Sequence, residues 1–134
     1  MAGYSGTPLP RKLGLKPGQS ILLLGIPGEV RDRIQEETRT AKTRFSGRGS
    51  YDLIMLFVKS RTELNERFPK LARVLTPAGA LWVAWPKKAS KVVTDMTEDA
   101  VREIALPLGL VDNKVCAVDD VWSGLRCVIR KENR

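Results

Sequence analysis

The sequence predicts an α/β domain in three layers, with helices on both faces of a mostly parallel sheet, and three observations carry that expectation. The apolar run Ser20 to Leu24 ends in Gly25 and Gly28 and is followed by a polar, amphipathic stretch, the order of a strand, a tight turn and a helix. Apolar segments of strand length then alternate with segments of helical spacing, until the last two strands follow one another across a loop. A chain of 134 residues with 43% hydrophobic content is long enough to bury a core without metal or disulfide staples.

The elements follow in order. Residues 1–18, rich in Gly, Pro and Ser, read as an irregular lead-in to one domain spanning 1–134. Leu9, Leu13 and Leu15 are placed to cover an edge of the sheet before Pro17 and Gly18 turn the chain into the first strand. After the turn, Val30 and Ile34 share one face of a short surface helix over Glu29 to Thr38. Arg39 to Ser50 contains Arg39, Lys42, Arg44 and Arg48 with no acid, and reads as a basic loop before a second strand, Asp52 to Val58. Leu64, Phe68, Leu71, Ala72 and Leu75 recur at helical spacing, with Pro69 expected to kink or restart that helix and Pro77 and Gly79 to close it. Ala80 to Trp85 is the third strand, stopped by Pro86. Thr97 is the expected N-cap of a helix that buries Val101, Ile104, Ala105 and Leu108 and ends at Gly109. Lys114 to Val118 and Leu125 to Arg130 are the last strands.

Composition removes much chemistry. The chain has no histidine, which excludes histidine acid/base catalysis, Ser-His-Asp and Cys-His nucleophiles and the usual zinc sites; no metal site is expected. Twenty-three Lys and Arg against fifteen Asp and Glu give a net charge of +8, a field able to draw nucleic acid or other phosphorylated ligands. The longest apolar run is far short of the ~20 residues of a membrane helix, and Met1 to Pro10 lacks a secretory-signal core, so a cytoplasmic location with no membrane partner is expected. Cys116 and Cys127 face one another if the last hairpin is symmetric about Asp119 to Gly124. They read as two buried thiols in a reducing compartment, with a cross-strand disulfide as the alternative.

Two segments resemble a known family. LGLKPGQSILLLGIPG, Leu13 to Gly28, is similar to the lead-in, first strand and glycine turn of class I S-adenosylmethionine-dependent methyltransferases. LARVLTPAGALWVAWP, Leu71 to Pro86, is similar to the helix and strand around that family's LxPGG turn, and the last hairpin resembles its antiparallel final strand. WSGLR, Trp122 to Arg126, also resembles a segment of a family of small bacterial proteins. The resemblance implies a Rossmann-like, methyltransferase-like sheet of about five strands that lacks the family's second and third, because the interval between Gly28 and Asp52 is too short for further strand-helix units of ~30 residues. It also implies what is missing. The first-strand turn keeps two glycines, and no acid precedes them. In the family, the acid that grips the ribose comes from the end of the second strand. No Asp/Asn-Pro-Pro-aromatic motif follows the Asp52 strand, where the chain reads Val58, Lys59, Ser60, Arg61.

Several residues are candidates for a site. The resemblance puts Gly25, Pro27, Gly28 and Asp52 near S-adenosylmethionine if that cofactor is held at all. Right-handed crossovers bring Lys59, Arg61, Trp85, Lys87, Lys88, Trp122, Ser123 and Arg126 to the same edge, where cations beside tryptophans can hold a phosphate or stack a base; the competing reading is solvated lysines around core tryptophans. Glu29 and Asp32 sit in the first helical turn after Gly28 and oppose an anion there. Asp119 and Asp120 are explained by loop formation as well as by a catalytic role, and no catalytic residue is assigned. The leading expectation is a binding or regulatory module without conventional cofactor binding, and more a non-enzyme than an enzyme. A homodimer through the exposed first-strand edge is the expected assembly. The alternatives are a reduced methyltransferase completed by a partner or second copy, and a nucleic-acid-binding protein.

Overall fold

The computed structural model describes residues 7–134, so the parts of the lead-in and of the signal-core reading that fall on residues 1–6 lie outside the described residues. The elements are α1 (Leu9–Leu13), β1 (Ser20–Leu24), α2 (Gly28–Arg33), α3 (Gln35–Arg39), β2 (Lys42–Arg44), β3 (Tyr51–Phe57), α4 (Arg61–Arg73), β4 (Leu75–Pro86), α5 (Glu98–Ala105), β5 (Leu110–Ala117) and β6 (Trp122–Ile129). The strands form a six-stranded sheet in the order β2-β1-β3-β4-β6-β5. The first four are parallel, and β6 runs antiparallel to both β4 and β5.

Period-two alternation sorts the core onto two faces. Ile54, Leu56, Leu81, Val83, Trp85, Leu125 and Cys127 pack beneath α4 and α5, and Ile21, Leu23, Met55, Phe57, Trp82, Cys116 and Trp122 pack beneath α1, α2 and the chain around Ile34. Both faces are covered, so the central strands read as continuous apolar runs rather than alternating ones. Among the described residues no helix is long and apolar enough to cross a membrane.

The α/β class, the parallel centre and the antiparallel end match the expectation, and β1 falls where the sequence places it. The strand count is one higher. Lys42 to Arg44, expected inside a loop, pairs in parallel with Ser20 to Leu22 as β2. Its side chains are mostly exposed, so no apolar alternation marks it; backbone pairing makes the strand, begun by Gly18 N donating to Thr40 O and Lys42 N to Gln19 O. The edge of β1 that suggested a dimer is therefore covered over Ser20 to Leu22. The edge strand is β2, three residues long and charged, the form that discourages strand-to-strand association.

Other differences are local. Leu9, Leu13 and Leu15 cover a face of the sheet, not its edge, because Leu9 to Leu13 coil into one helical turn that packs over Ile21, Leu53 and Trp82. The helix expected after Gly28 divides at Ile34 into α2 and α3. Pro69 does not restart α4: Leu64, Phe68 and Leu71 hold both halves against the sheet, and the carbonyl it leaves unpaired belongs to the exposed Asn65. Pro77 and Gly79 lie inside β4, where the pairing with β3 shifts register between Tyr51 and Leu53. Thr97 caps α5 by accepting from Ala100 N at 3.1 Å, and Gly109, at φ 85°, ends the turn that follows it.

Candidate functional site

In a parallel sheet the ends where strands hand over to helices lie along one edge, and ligands of α/β proteins bind there. Here that edge carries the Gly25 to Gly28 turn after β1, Val58 to Arg61 after β3, Pro86 to Lys88 after β4, and the loop that returns as β6, where Pro86 pairs with Trp122 and Trp85 with Ser123. Most of the expected residues do converge. Two do not. Asp52 starts β3, at the other end of the sheet: its carboxylate accepts from Ser20 N at 3.0 Å and from Thr76 Oγ1 at 3.1 Å. Five steps along the strand, roughly 16 Å, separate that end from Gly25. Arg126 pairs with Trp82 in mid-sheet, four positions from the edge, because β6 runs down the sheet from Trp122.

The groups that remain at the edge are largely engaged in the fold. Gly25 adopts φ 68°, and a Cβ there would stand 2.9 Å from the carbonyl oxygen of Phe57, so the turn and the neighbouring strand both require glycine. Gly28 opens α2, which has only six residues. Ser60 caps α4 by accepting from Glu63 N at 3.2 Å, and Glu63 Oε1 accepts from Lys59 N at 3.3 Å, so the chain after β3 is engaged in starting the helix. Arg61 is tied to Asp95, with its backbone N–H donating to the carboxylate at 2.8 Å and Nε to the carbonyl at 2.9 Å. Lys59 and Lys88 are exposed and Lys87 is half-buried.

The tryptophans are core residues. Trp85 packs on the α4/α5 face and Trp122 on the opposite face, both buried, and Trp122 meets Phe57 edge to face with centroids 5.2 Å apart. Sheet pleating separates them, so they form no common platform for a base. Asp119 is a turn residue whose Oδ1 accepts from Val121 N and Trp122 N at 2.8 and 2.7 Å. Among the described residues no three His, Cys, Asp or Glu gather as metal ligands.

The two cysteines do not face one another. Cys116 pairs with Gly124 and Cys127 with Asp112, so the thiols lie on opposite faces of the sheet and no disulfide joins them. Symmetry about the loop fails because the pairing is set from Trp122 rather than Leu125 and shifts between Asp112 and Lys114. Burial pushes the Cys116 thiol up, against the pull of Lys12, Lys114, Arg33 and Lys87. Burial, with Asp112 adding to it, pushes Cys127 up to about 12. Folding thus favours the neutral Cys127 thiol, and the sign of the pH dependence follows. Stability from this group is intact below the unfolded thiol's pKa of ~8.5 and falls as pH rises from there towards about 12, with a slope near 1.4 kcal/mol per pH unit inside the window. Urea unfolding of the native chain and of Cys127→Ala at pH 8 to 11 should show that extra slope only in the native chain.

What the sequence did not reveal is a cationic row on the α1 face, where Lys114 pairs with Arg126. Its signal would have been the parity of β5 and β6 positions, which depends on the register shift. Open clefts also lie away from the Gly25 turn, one beside α1 and β5, lined by Arg11, Lys12, Lys114 and Cys116, and one at the start of β1, lined by Ser20, Lys42, Arg44 and Arg48.

No family model and no curated protein matches the chain. Solved structures do. The chain is similar to a magnesium protoporphyrin IX methyltransferase from Synechocystis PCC 6803 with SAM bound, at 13% identity and a TM-score of 0.60, covering 91% of this chain and 74% of that one. It is similar to the fibrillarin pre-rRNA processing protein of Methanococcus jannaschii at 14% identity and a TM-score of 0.56, covering 92% and 69%. The fold is therefore a shortened class I methyltransferase-like fold, Rossmann-like, with β2 beside β1 where the resemblance puts a second strand.

Proposed function

We propose that this chain uses a methyltransferase-like fold as a binding or regulatory module and does not hold S-adenosylmethionine in the conventional crevice. The observation that carries the reading is the end of β2. In the resembling family an acid at that place grips the ribose hydroxyls. Here β2 ends at Arg44, opposite Leu22, and Phe45 and Ser46 follow without a carboxylate before Arg48 to Ser50 return to the start of β1. A cation supplies no acceptor for two hydroxyls, so the residues present do not fit the cofactor. Two further observations support this. The Asp52 carboxylate is bonded at the far end of the sheet, and the chain after β3 is a helix cap rather than a substrate-binding motif.

Calorimetric titration with S-adenosylhomocysteine tests the reading, since that product occupies the same crevice without a methyl acceptor. No saturable heat up to millimolar ligand is the expected result. Saturable micromolar binding would overturn it, in favour of a reduced methyltransferase whose ribose contact comes from a second copy or a partner.

A further inference from the structure

At the β5 end of the sheet, three side chains stand in one row on the face that α1 partly crosses. Trp82 of β4 is opposite Arg126 of β6, and Arg126 is opposite Lys114 of β5; directly paired residues project to the same side. The outer two are anchored to α1. Trp82 Nε1 donates to Leu13 O at 3.0 Å, and Lys114 Nζ donates to Lys12 O at 2.8 Å. Arg126 between them is half-buried and makes no hydrogen bond or ion pair among the described residues.

The charges around it are of one sign. Burial and the neighbouring Arg134 hold the Arg126 guanidinium below its ordinary pKa, and no acid opposes them. Cys116, on the same face two positions from Lys114, feels Lys12, Lys114, Arg33 and Lys87, all cations. Of the acids at this end of the chain, Asp112 is engaged on the other face with Arg102 at 3.2 Å, Glu132 with Arg130 at 2.7 Å and Asp119 in its turn, while Asp120 is exposed in the loop between β5 and β6, at the far end of β6 from Arg126. A half-buried guanidinium with a second cation beside it and no carboxylate is an unfavourable arrangement that a bound anion relieves.

We propose that this face binds the phosphate backbone of a nucleic acid, with Arg126 at its centre and Arg11, Lys12, Lys114 and Arg134 around it. The inference names the partner class of the module described above. Two cations on neighbouring strands about 4.8 Å apart, with Arg11 and Lys12 on α1 and Arg134 after β6, suit a polymer of phosphates better than one small anion. An anionic membrane fits less well, because four of the exposed large apolar residues, Phe45, Val93, Leu106 and Leu108, lie on other elements, and the fifth, Val115, pairs with Leu125 on the opposite face of the sheet, so a single valine at the rim is all this end offers for insertion.

Fluorescence anisotropy with a labelled single-stranded RNA of about 20 nucleotides and a duplex DNA of about 20 base pairs tests this, over a range of salt concentration. The expected result is salt-dependent binding of at least one probe. Replacing Lys114 and Arg126 together by Ala should weaken it about tenfold at fixed salt and reduce the slope of log K against log salt by roughly 1.4 to 1.8, the contribution of two phosphate contacts. Arg67→Ala with Lys70→Ala, which removes the same charge from the outer side of α4, should leave affinity within about twofold. Arg126→Met guards against misfolding: relief of the unpaired charge should leave its melting temperature equal to or above that of the native chain while binding falls. Absence of binding to both probes overturns the proposal. So does an equal loss in the α4 variant, or tighter binding to phosphatidylserine vesicles than to either nucleic acid. Failure here leaves the cofactor reading untouched, because the S-adenosylhomocysteine titration reads a different site.

Discussion

Trp82→Ala should destabilise the fold by about 3–5 kcal/mol, the range for removing a large aromatic from a close-packed core, seen as a lower urea midpoint with little change in m. Trp82 is fully buried in the centre of β4, between Met55 and Arg126 across the sheet. Its ring fills the space over Gly124, where a Cβ would already come within 3.2 Å of the indole. Neighbours that close in a sheet cannot collapse into the gap, so most of the ring's volume remains as a cavity. The indole N–H adds a second role by holding the C-terminal end of α1 through the Leu13 carbonyl. Trp82→Phe separates the two contributions. It keeps most of the apolar area but leaves that carbonyl without its donor, at about 1–3 kcal/mol, and should loosen α1 enough for faster proteolysis ahead of β1. A loss below about 1 kcal/mol in Trp82→Ala would mean that the sheet does not depend on this residue.

Gly25→Ala should cost on the order of 2–4 kcal/mol, although a single methyl group is added. The left-handed conformation accounts for about 1–2 kcal/mol. The rest comes from a Cβ only 2.9 Å from the Phe57 carbonyl oxygen, a backbone atom of the central strand β3 that cannot swing aside. Gly14→Ala is the matched control, since Gly14 has φ 81° with nothing within 4 Å of its added Cβ. Thermal unfolding of the two variants should show the Gly25 change as the larger, and equal losses would remove the close approach as a cause. The glycine that marks the turn in the sequence is thus demanded by the turn and by β3, whether or not a ligand sits there.

Cofactor binding has to be judged on other residues, and those were only partly legible. Leu22, Leu23 and Leu24 announce a central strand because its residues are apolar on both faces, and the spacing of Leu64, Phe68 and Leu71 announces the helix that covers it. Thr97 announces a cap through its own hydroxyl. Each of these signals is local, written in residues that meet the water or the core by themselves. β2 carried no such signal, since Lys42, Thr43 and Arg44 form a strand only because β1 offers unpaired backbone groups beside them.

The residues proposed for the site divide in the same way. Chain order and right-handed crossovers placed the Gly25 turn, Lys59, Lys87 and Ser123 at one edge, because topology alone decides where strands end. The absence of histidine, the excess of positive charge and the lack of an acid between Arg39 and Ser50 are properties of the sequence and need no structure. Three matters were left to tertiary structure: that Asp52 serves the opposite end of the sheet, that Cys116 and Cys127 lie on different faces, and that Arg126 stands beside Lys114 with no hydrogen bond or ion pair among the described residues. All three depend on the register between strands far apart in the chain. A shift of one residue moves a side chain to the other face, and that register is set by the summed packing of both faces rather than by any one segment.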